Sequence, residues 1–307
     1  MPFALIIATS ILCAACNRQS GITDSAIRTL GSAGSVAGRF ITPRGLSLTE
    51  EALWVVDRSG RLQKIAKDGT PLLSTTIIEG GRGFPVGVTA LPDGGCVLCD
   101  THNSRIRYFD AQGRENARGF GSFGTLPGQF IYPERIASDN DGTLYITEYG
   151  EGGANRVQVF DAQGHFLRAF GESGRGPGQF TRAIGIVIFD DMLFITDTAD
   201  RIMVFGKDGA FRREFGTSGH ALGQLKYPYG ICKLGRELFV CEYGGHRLQR
   251  FTPEGESLGY FGRPGAGVGE FSGPWDVCAD RDGTLYVCDA GNHRIVAFKA
   301  EEVEWIK

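Results

Sequence analysis

A chain of 307 residues with 46 glycines, 21 phenylalanines and only 3 methionines reads as many short strands joined by turns, not as long helices. Its 32 basic residues against 35 acidic ones leave a formal net charge of −3. That lacks the basic excess with which a protein neutralises phosphates, so general nucleic-acid binding is disfavoured.

In chain order, the first segment stands apart. Pro2 to Ala15 carries no charge and is apolar over residues 3–8 and 11–15, long enough for the apolar region of a signal peptide and short for a membrane span. Residues 1–15 are therefore expected to be a signal peptide, 16–25 a polar tether and 26–307 the folded domain. Leu12-Cys13-Ala14-Ala15-Cys16 resembles a bacterial lipobox, which implies that Cys16 is lipidated and becomes the mature N-terminus. Two departures stand against the match: no Lys or Arg precedes the apolar run, and Cys13 stands where an aliphatic residue is usual. Plain secretion and a buried N-terminal segment are the alternatives. The expected location is the periplasm or cell surface, with membrane contact through the anchor only.

From residue 26 onward one frame repeats. Ala26-Ile27-Arg28-Thr29-Leu30-Gly31-Ser32-Ala33-Gly34, running on to Gly38-Arg39-Phe40, aligns without a gap with Phe166-Leu167-Arg168-Ala169-Phe170-Gly171-Glu172-Ser173-Gly174, running on to Gly178-Gln179-Phe180. Each such connector leads to a proline or a substitute at Pro43, Pro85, Pro133, Ala183, Pro228 and Pro274, 42 to 50 residues apart, the length of one four-stranded propeller blade. A second apolar strand in each unit ends on an acid, namely Asp57, Asp100, Glu148, Asp197, Glu242 and Asp289. An arginine soon after opens the third strand: Arg61, Arg105, Arg156, Arg201, Arg247 and Arg294. The expected fold is all-β, a six-bladed β-propeller of four-stranded antiparallel blades. Residues 26–30 match a fourth strand yet precede the first complete unit, and the last unit ends soon after its third strand, so an N-terminal strand is expected to close the ring. The rival is closure by Val303-Glu304-Trp305-Ile306.

Asp289-Ala290-Gly291-Asn292-His293-Arg294-Ile295 closely resembles the signature of NHL repeats, and Asp100-Thr101-His102-Asn103-Ser104-Arg105-Ile106 and Gly244-Gly245-His246-Arg247-Leu248 resemble it too. The resemblance implies the fold and leaves the chemistry open, since propellers of this family include binding scaffolds, sensors and some enzymes. Amidating-lyase propellers of the family bind zinc partly through a histidine just after the blade-opening proline. Here those places hold Arg44, Val86, Glu134, Ile184, Tyr229 and Trp275, so that activity is poorly supported and neither metal nor cofactor is expected.

One acid–arginine pair per blade suggests loop closure by charge-assisted hydrogen bonds and not a row of catalytic carboxylates. His102, His246 and His293 read as loop-packing residues, and zinc is the less economical reading. Cys99, Cys241 and Cys288 share one repeat position, and Cys232 and Cys278 another. Equivalent positions in neighbouring blades are too far apart for disulfides, so buried small residues are expected.

Function then lies in what differs between blades. In such propellers the residue after each opener, and the loop between second and third strands, line one mouth of the channel. There Arg44, Glu134, Arg135, Tyr149, Tyr229, Tyr243, Trp275 and Asp276 replace smaller or apolar residues. Aromatics beside mixed charges suit a polar organic ligand, a glycan or a peptide terminus. The bland alternative is that these side chains merely plug the channel. The expected function is a monomeric recognition or scaffold module of the cell envelope. The alternative is a hydrolase or lyase of the lactonase or metal-dependent lyase kind, with Glu134 and Asp276 as its carboxylates.

Overall fold

The computed structural model describes residues 26–78 and 83–307. Six four-stranded antiparallel sheets follow one another along the chain, one for each sequence repeat. In blade 5, for example, Pro228–Leu234, Glu237–Glu242, Arg247–Phe251 and Ser257–Phe261 run from the innermost strand to the outermost. First strands touch first strands around the whole ring, the sixth returning to the first, so they wall a central channel. Among the described residues, helix is limited to the single turns Thr101–Asn103 and Ala290–Asn292.

Blade 6 is a composite. Its first three strands, Pro274–Ala279, Thr284–Asp289 and Arg294–Lys299, come from the end of the chain, and its outermost strand is Ile27–Leu30. The pairing is antiparallel, with Ile27 opposite Phe298 and Leu30 opposite Ile295. It covers what would otherwise be an open sheet edge and ties the first blade to the last. The rival segment goes elsewhere: Ile306 bridges Tyr260 on the outer strand of blade 5, and Trp305 packs against Phe239 and Phe261.

The core is divided into six layers, one between each pair of neighbouring blades. Alternation along each strand sends apolar side chains to both faces of its sheet, because both faces are covered by other blades. A connector side chain seals five of the six layers: Phe40, Phe130, Phe180 and Phe271 are wholly buried, as is Leu225. The connector glycine is fixed by that ring. Gly171 has φ +82°, and a Cβ there would lie 2.5 Å from the Phe180 ring.

All six acid–arginine pairs form, as Asp57–Arg61 (2.6 Å), Asp100–Arg105 (3.0 Å), Glu148–Arg156 (2.6 Å), Asp197–Arg201 (3.0 Å), Glu242–Arg247 (2.7 Å) and Asp289–Arg294 (2.8 Å). Besides closing their own loops, the pairs of blades 1, 3, 4, 5 and 6 hold the glycine connectors. Arg247 donates to the carbonyls of His220, Ala221 and Gln224, while Glu242 accepts the backbone N–H of Lys226. Such a clamp satisfies backbone groups that a buried loop would leave orphaned.

The signature histidines are also structural. The Nδ1 of His246 and His293 accepts the backbone N–H of Gly273 and Thr42, just before the opener of the next blade, and that of His102 accepts the N–H of Phe84, just before the opener of its own blade. The described cysteines are free thiols. Burial pushes Cys99, Cys241 and Cys288 well above the ordinary thiol range, so they fill space as thiols. Cys13 and Cys16 lie outside the described residues.

Candidate ligand-binding site

The strand-opening residues enter the channel mouth through a local irregularity. Pairing of first and second strands slips between Pro43 and Gly45, Pro133 and Arg135, Ala183 and Ile186, Pro228 and Ile231, and Pro274 and Asp276. A bulge re-aims the extra residue, and that residue is Arg44, Glu134, Ile184, Tyr229 or Trp275. The next position is glycine in most blades because the neighbouring blade's bulge carbonyl packs against it. A Cβ on Gly185 would meet the Tyr229 carbonyl at 2.2 Å, and one on Gly87 the Glu134 carbonyl at 2.3 Å.

Blades 3 and 6 depart from that rule, and their departures meet. Arg135 and Asp276 are each 6% exposed, with Arg135 Nη2 3.5 Å from Asp276 Oδ2 across the channel. Arg135 also donates to the Arg44 carbonyl at 2.7 Å. Asp276 accepts the backbone N–H groups of Leu46 (3.1 Å) and Val277 (3.0 Å). Burial raises the Asp276 carboxyl, with Arg135 and those two N–H groups opposing. The pair is thus a septum. On its far side a cavity of about 620 Å³, whose wall includes Ile136, Asp139, Lys207 and Cys232, opens at the opposite end.

On the near side lies the mouth. Glu134 is 0% exposed, and neither carboxylate oxygen accepts a hydrogen bond. The nearest cation is Arg182, with Nη2 3.6 Å from Glu134 Oε1. Burial raises the Glu134 carboxyl, while Arg182, Arg135 and Arg44 pull it back. The Arg182 guanidinium lies over the Tyr149 ring, 3.6 Å from its centroid, and Tyr149 stacks on Tyr132 at 5.1 Å. Burial, then the Glu134 charge, pushes the Tyr149 hydroxyl up to about 12.

The other half of the mouth is an aromatic cluster. Trp275 lies 4.6 Å from Tyr229 and 5.3 Å from Tyr243, and those two tyrosines are 5.3 Å apart. The Arg44 guanidinium covers Trp275 at 4.5 Å, and burial, then Arg58, lowers its pKa. Arg44 Nε and Trp275 Nε1 are buried without partners.

The eight residues singled out from the sequence thus gather at one end of the channel but at two depths. Arg135 and Asp276 form the septum, and Arg44, Glu134, Tyr149, Tyr229, Tyr243 and Trp275 surround the mouth. Sequence reasoning missed Arg182 and Tyr132. Both precede an opener, at a position that also varies strongly between blades, with Thr42, Phe84, Tyr132, Arg182, Tyr227 and Gly273. That variation was the available signal.

Fold and site define a six-bladed β-propeller whose channel is closed by a salt bridge beneath a polar–aromatic mouth. The NHL repeat family model matches residues 271–298, within blade 6. Over 96 residues the chain is 33% identical to the protein brain tumor of Drosophila melanogaster. That alignment takes in 31% of this chain and 9% of that protein, so the chain spans less than a tenth of the relative's length. A gluconolactonase from Xanthomonas campestris superimposes with a TM-score of 0.64 at 14% identity, covering 89% of this chain and 97% of that one. A catalytically inactive virginiamycin B lyase from Staphylococcus aureus with quinupristin gives 0.63 at 18% identity, covering 91% and 88%. At these identities the solved structures show a shared fold.

Proposed function

We propose that this propeller is a recognition module that binds a small polar organic ligand, or the exposed end of a peptide or glycan, at the mouth above the Arg135–Asp276 septum. One observation carries the reading: Glu134 is wholly buried with both carboxylate oxygens unbonded. A buried carboxylate that accepts no hydrogen bond opposes folding unless something supplies its hydrogen bonds, even with a cation nearby. A ligand carrying donors does so. The unpartnered Arg44 Nε and Trp275 Nε1 offer that ligand donors in return, and the faces of Tyr229, Tyr243 and Trp275 offer apolar contact.

A hydrolase or lyase of the lactonase or metal-dependent kind is the second reading, and the lactonase and lyase propellers of like fold speak for it. It would draw on Glu134 and Asp276. Asp276 is already held by two backbone N–H groups and Arg135, which leaves Glu134 as the carboxylate of the two without a hydrogen bond and weighs toward binding.

The proposal places the module at the cell envelope, on the strength of the uncharged apolar run at residues 2–15 and of Cys16. Its test is a ligand-observed NMR screen of amino acids, short peptides, sugars and lactones against the wild type and the Arg44→Ala/Trp275→Ala double variant. Hits that vanish in a double variant melting within a few degrees of wild type are expected. Hits that persist, or none in either protein, would refute binding at the mouth, and turnover of a lactone would establish the second reading.

A further inference from the structure

The charges and rings of the mouth are arranged for one class of small molecule. Arg135 and Asp276 neutralise each other in the septum. That leaves Arg44 and Arg182 against the single carboxylate of Glu134, with Arg58 a further cation acting on Arg44. The mouth is therefore net positive around one buried negative group.

The two guanidinium groups sit over aromatic rings, Arg182 at 3.6 Å from the Tyr149 centroid and Arg44 at 4.5 Å from that of Trp275, and no side-chain hydrogen bond from either is found among the described residues. Stacking leaves the in-plane N–H fork of an arginine available, and that fork matches a carboxylate. Arg182 Nη2 and Glu134 Oε1, 3.6 Å apart, form an ion pair with no hydrogen bond between its members, so both keep hydrogen-bonding capacity for a ligand. The complement of two adjacent opposite charges is two adjacent opposite charges in reversed order. An α-amino acid carries an ammonium and a carboxylate on one carbon, and the ring cluster of Tyr229, Tyr243 and Trp275 lies in the same mouth.

We infer that the mouth binds a free α-amino acid with an aromatic or large apolar side chain. Its ammonium bonds Glu134, its carboxylate takes the N–H groups of Arg182 and Arg44, and its side chain packs on Tyr229 and Trp275. This rests on the reading of the mouth as a ligand site and names the ligand's class. A neutral sugar would satisfy Glu134 but leave the arginines unpaired. A simple anion would satisfy the arginines and leave Glu134 as it is.

Isothermal titration of the full chain with a matched series tests the inference. The series is L-phenylalanine, 3-phenylpropionate without the ammonium, L-phenylalaninamide without the carboxylate, and glucose as the neutral probe. L-phenylalanine should bind, and loss of either charge should weaken binding by about tenfold or more, as for a charge-assisted hydrogen bond left unmade. Glu134→Gln should remove the advantage of L-phenylalanine over 3-phenylpropionate, and Arg182→Gln its advantage over the amide. The analogue series on wild-type protein stands even if a variant folds poorly. The inference is overturned if either truncated analogue binds as well as L-phenylalanine, or if none of the four binds. Should the mouth hold another hit from the screen, one lost in the Arg44→Ala/Trp275→Ala variant, only the assigned class fails. With no hit that depends on those residues, the ligand site itself fails.

Discussion

At the scale of single residues the molecule separates two uses of charge. The acid of each blade is buried and paired with its arginine, and in pairs such as Glu242–Arg247, 2.7 Å apart, both side chains are buried and bonded to connector backbone. Removing one partner leaves an uncompensated buried charge and orphaned carbonyls. Arg247→Ala should therefore cost about 3–5 kcal/mol in chemical denaturation, far more than truncation of an exposed arginine such as Arg236. Glu134 is the opposite case, a buried carboxylate with cations nearby and no hydrogen bond. The sequence distinguished the two groups because the clamp recurs in every blade while Glu134 occurs once. It could not rank the mouth residues by depth. Depth depends on whether a side chain leaves the bulge at its first residue, like Glu134, or its second, like Arg135, and a slip of one residue in pairing reverses its direction.

Among the elements, the N-terminal strand and the C-terminal segment have exchanged the places that position in the chain suggests. The strand Ile27–Leu30 belongs to the last blade, with Ile27 and Leu30 buried. A chain beginning at residue 32 should lose about 3–6 kcal/mol of stability, the burial of two large aliphatic side chains plus exposed sheet edges. Unchanged melting would contradict ring closure by this strand. N-terminal closure was legible because residues 26–40 reproduce the fourth strand and connector of a blade. The seat of Trp305 beside blade 5 was not. It depends on a three-dimensional groove beside Phe239 and Phe261, to which no repeat position corresponds. Blade 4 shows a similar limit: its opener is Ala183 and not proline, and the residue before it, Arg182, drew no notice although it covers Glu134.

On the scale of the whole molecule, a rigid ring presents an asymmetric mouth at one end, and the proposed envelope location would expose that mouth to external solutes. If Cys16 carries a lipid, Cys16→Ala should abolish processing and move the protein from the membrane to the soluble fraction. Unchanged fractionation would remove the anchor from the account. The central claim is that the mouth is kept for binding at some expense to folding, and the Glu134 carboxyl tests it. Burial raises its pKa above the ordinary 4.5. A carboxyl raised on folding favours the fold when protonated, and that advantage is lost as pH rises through the raised value, so at neutral pH its charge opposes folding. The most direct measurement is the unfolding free energy of Glu134→Gln against wild type, across pH, without ligand. The variant should be more stable at neutral pH by about 1–3 kcal/mol, the cost of a buried unsatisfied group, with the difference fading as pH falls to about 4. A variant less stable than wild type at neutral pH would mean that Glu134 plugs the channel for the sake of the fold.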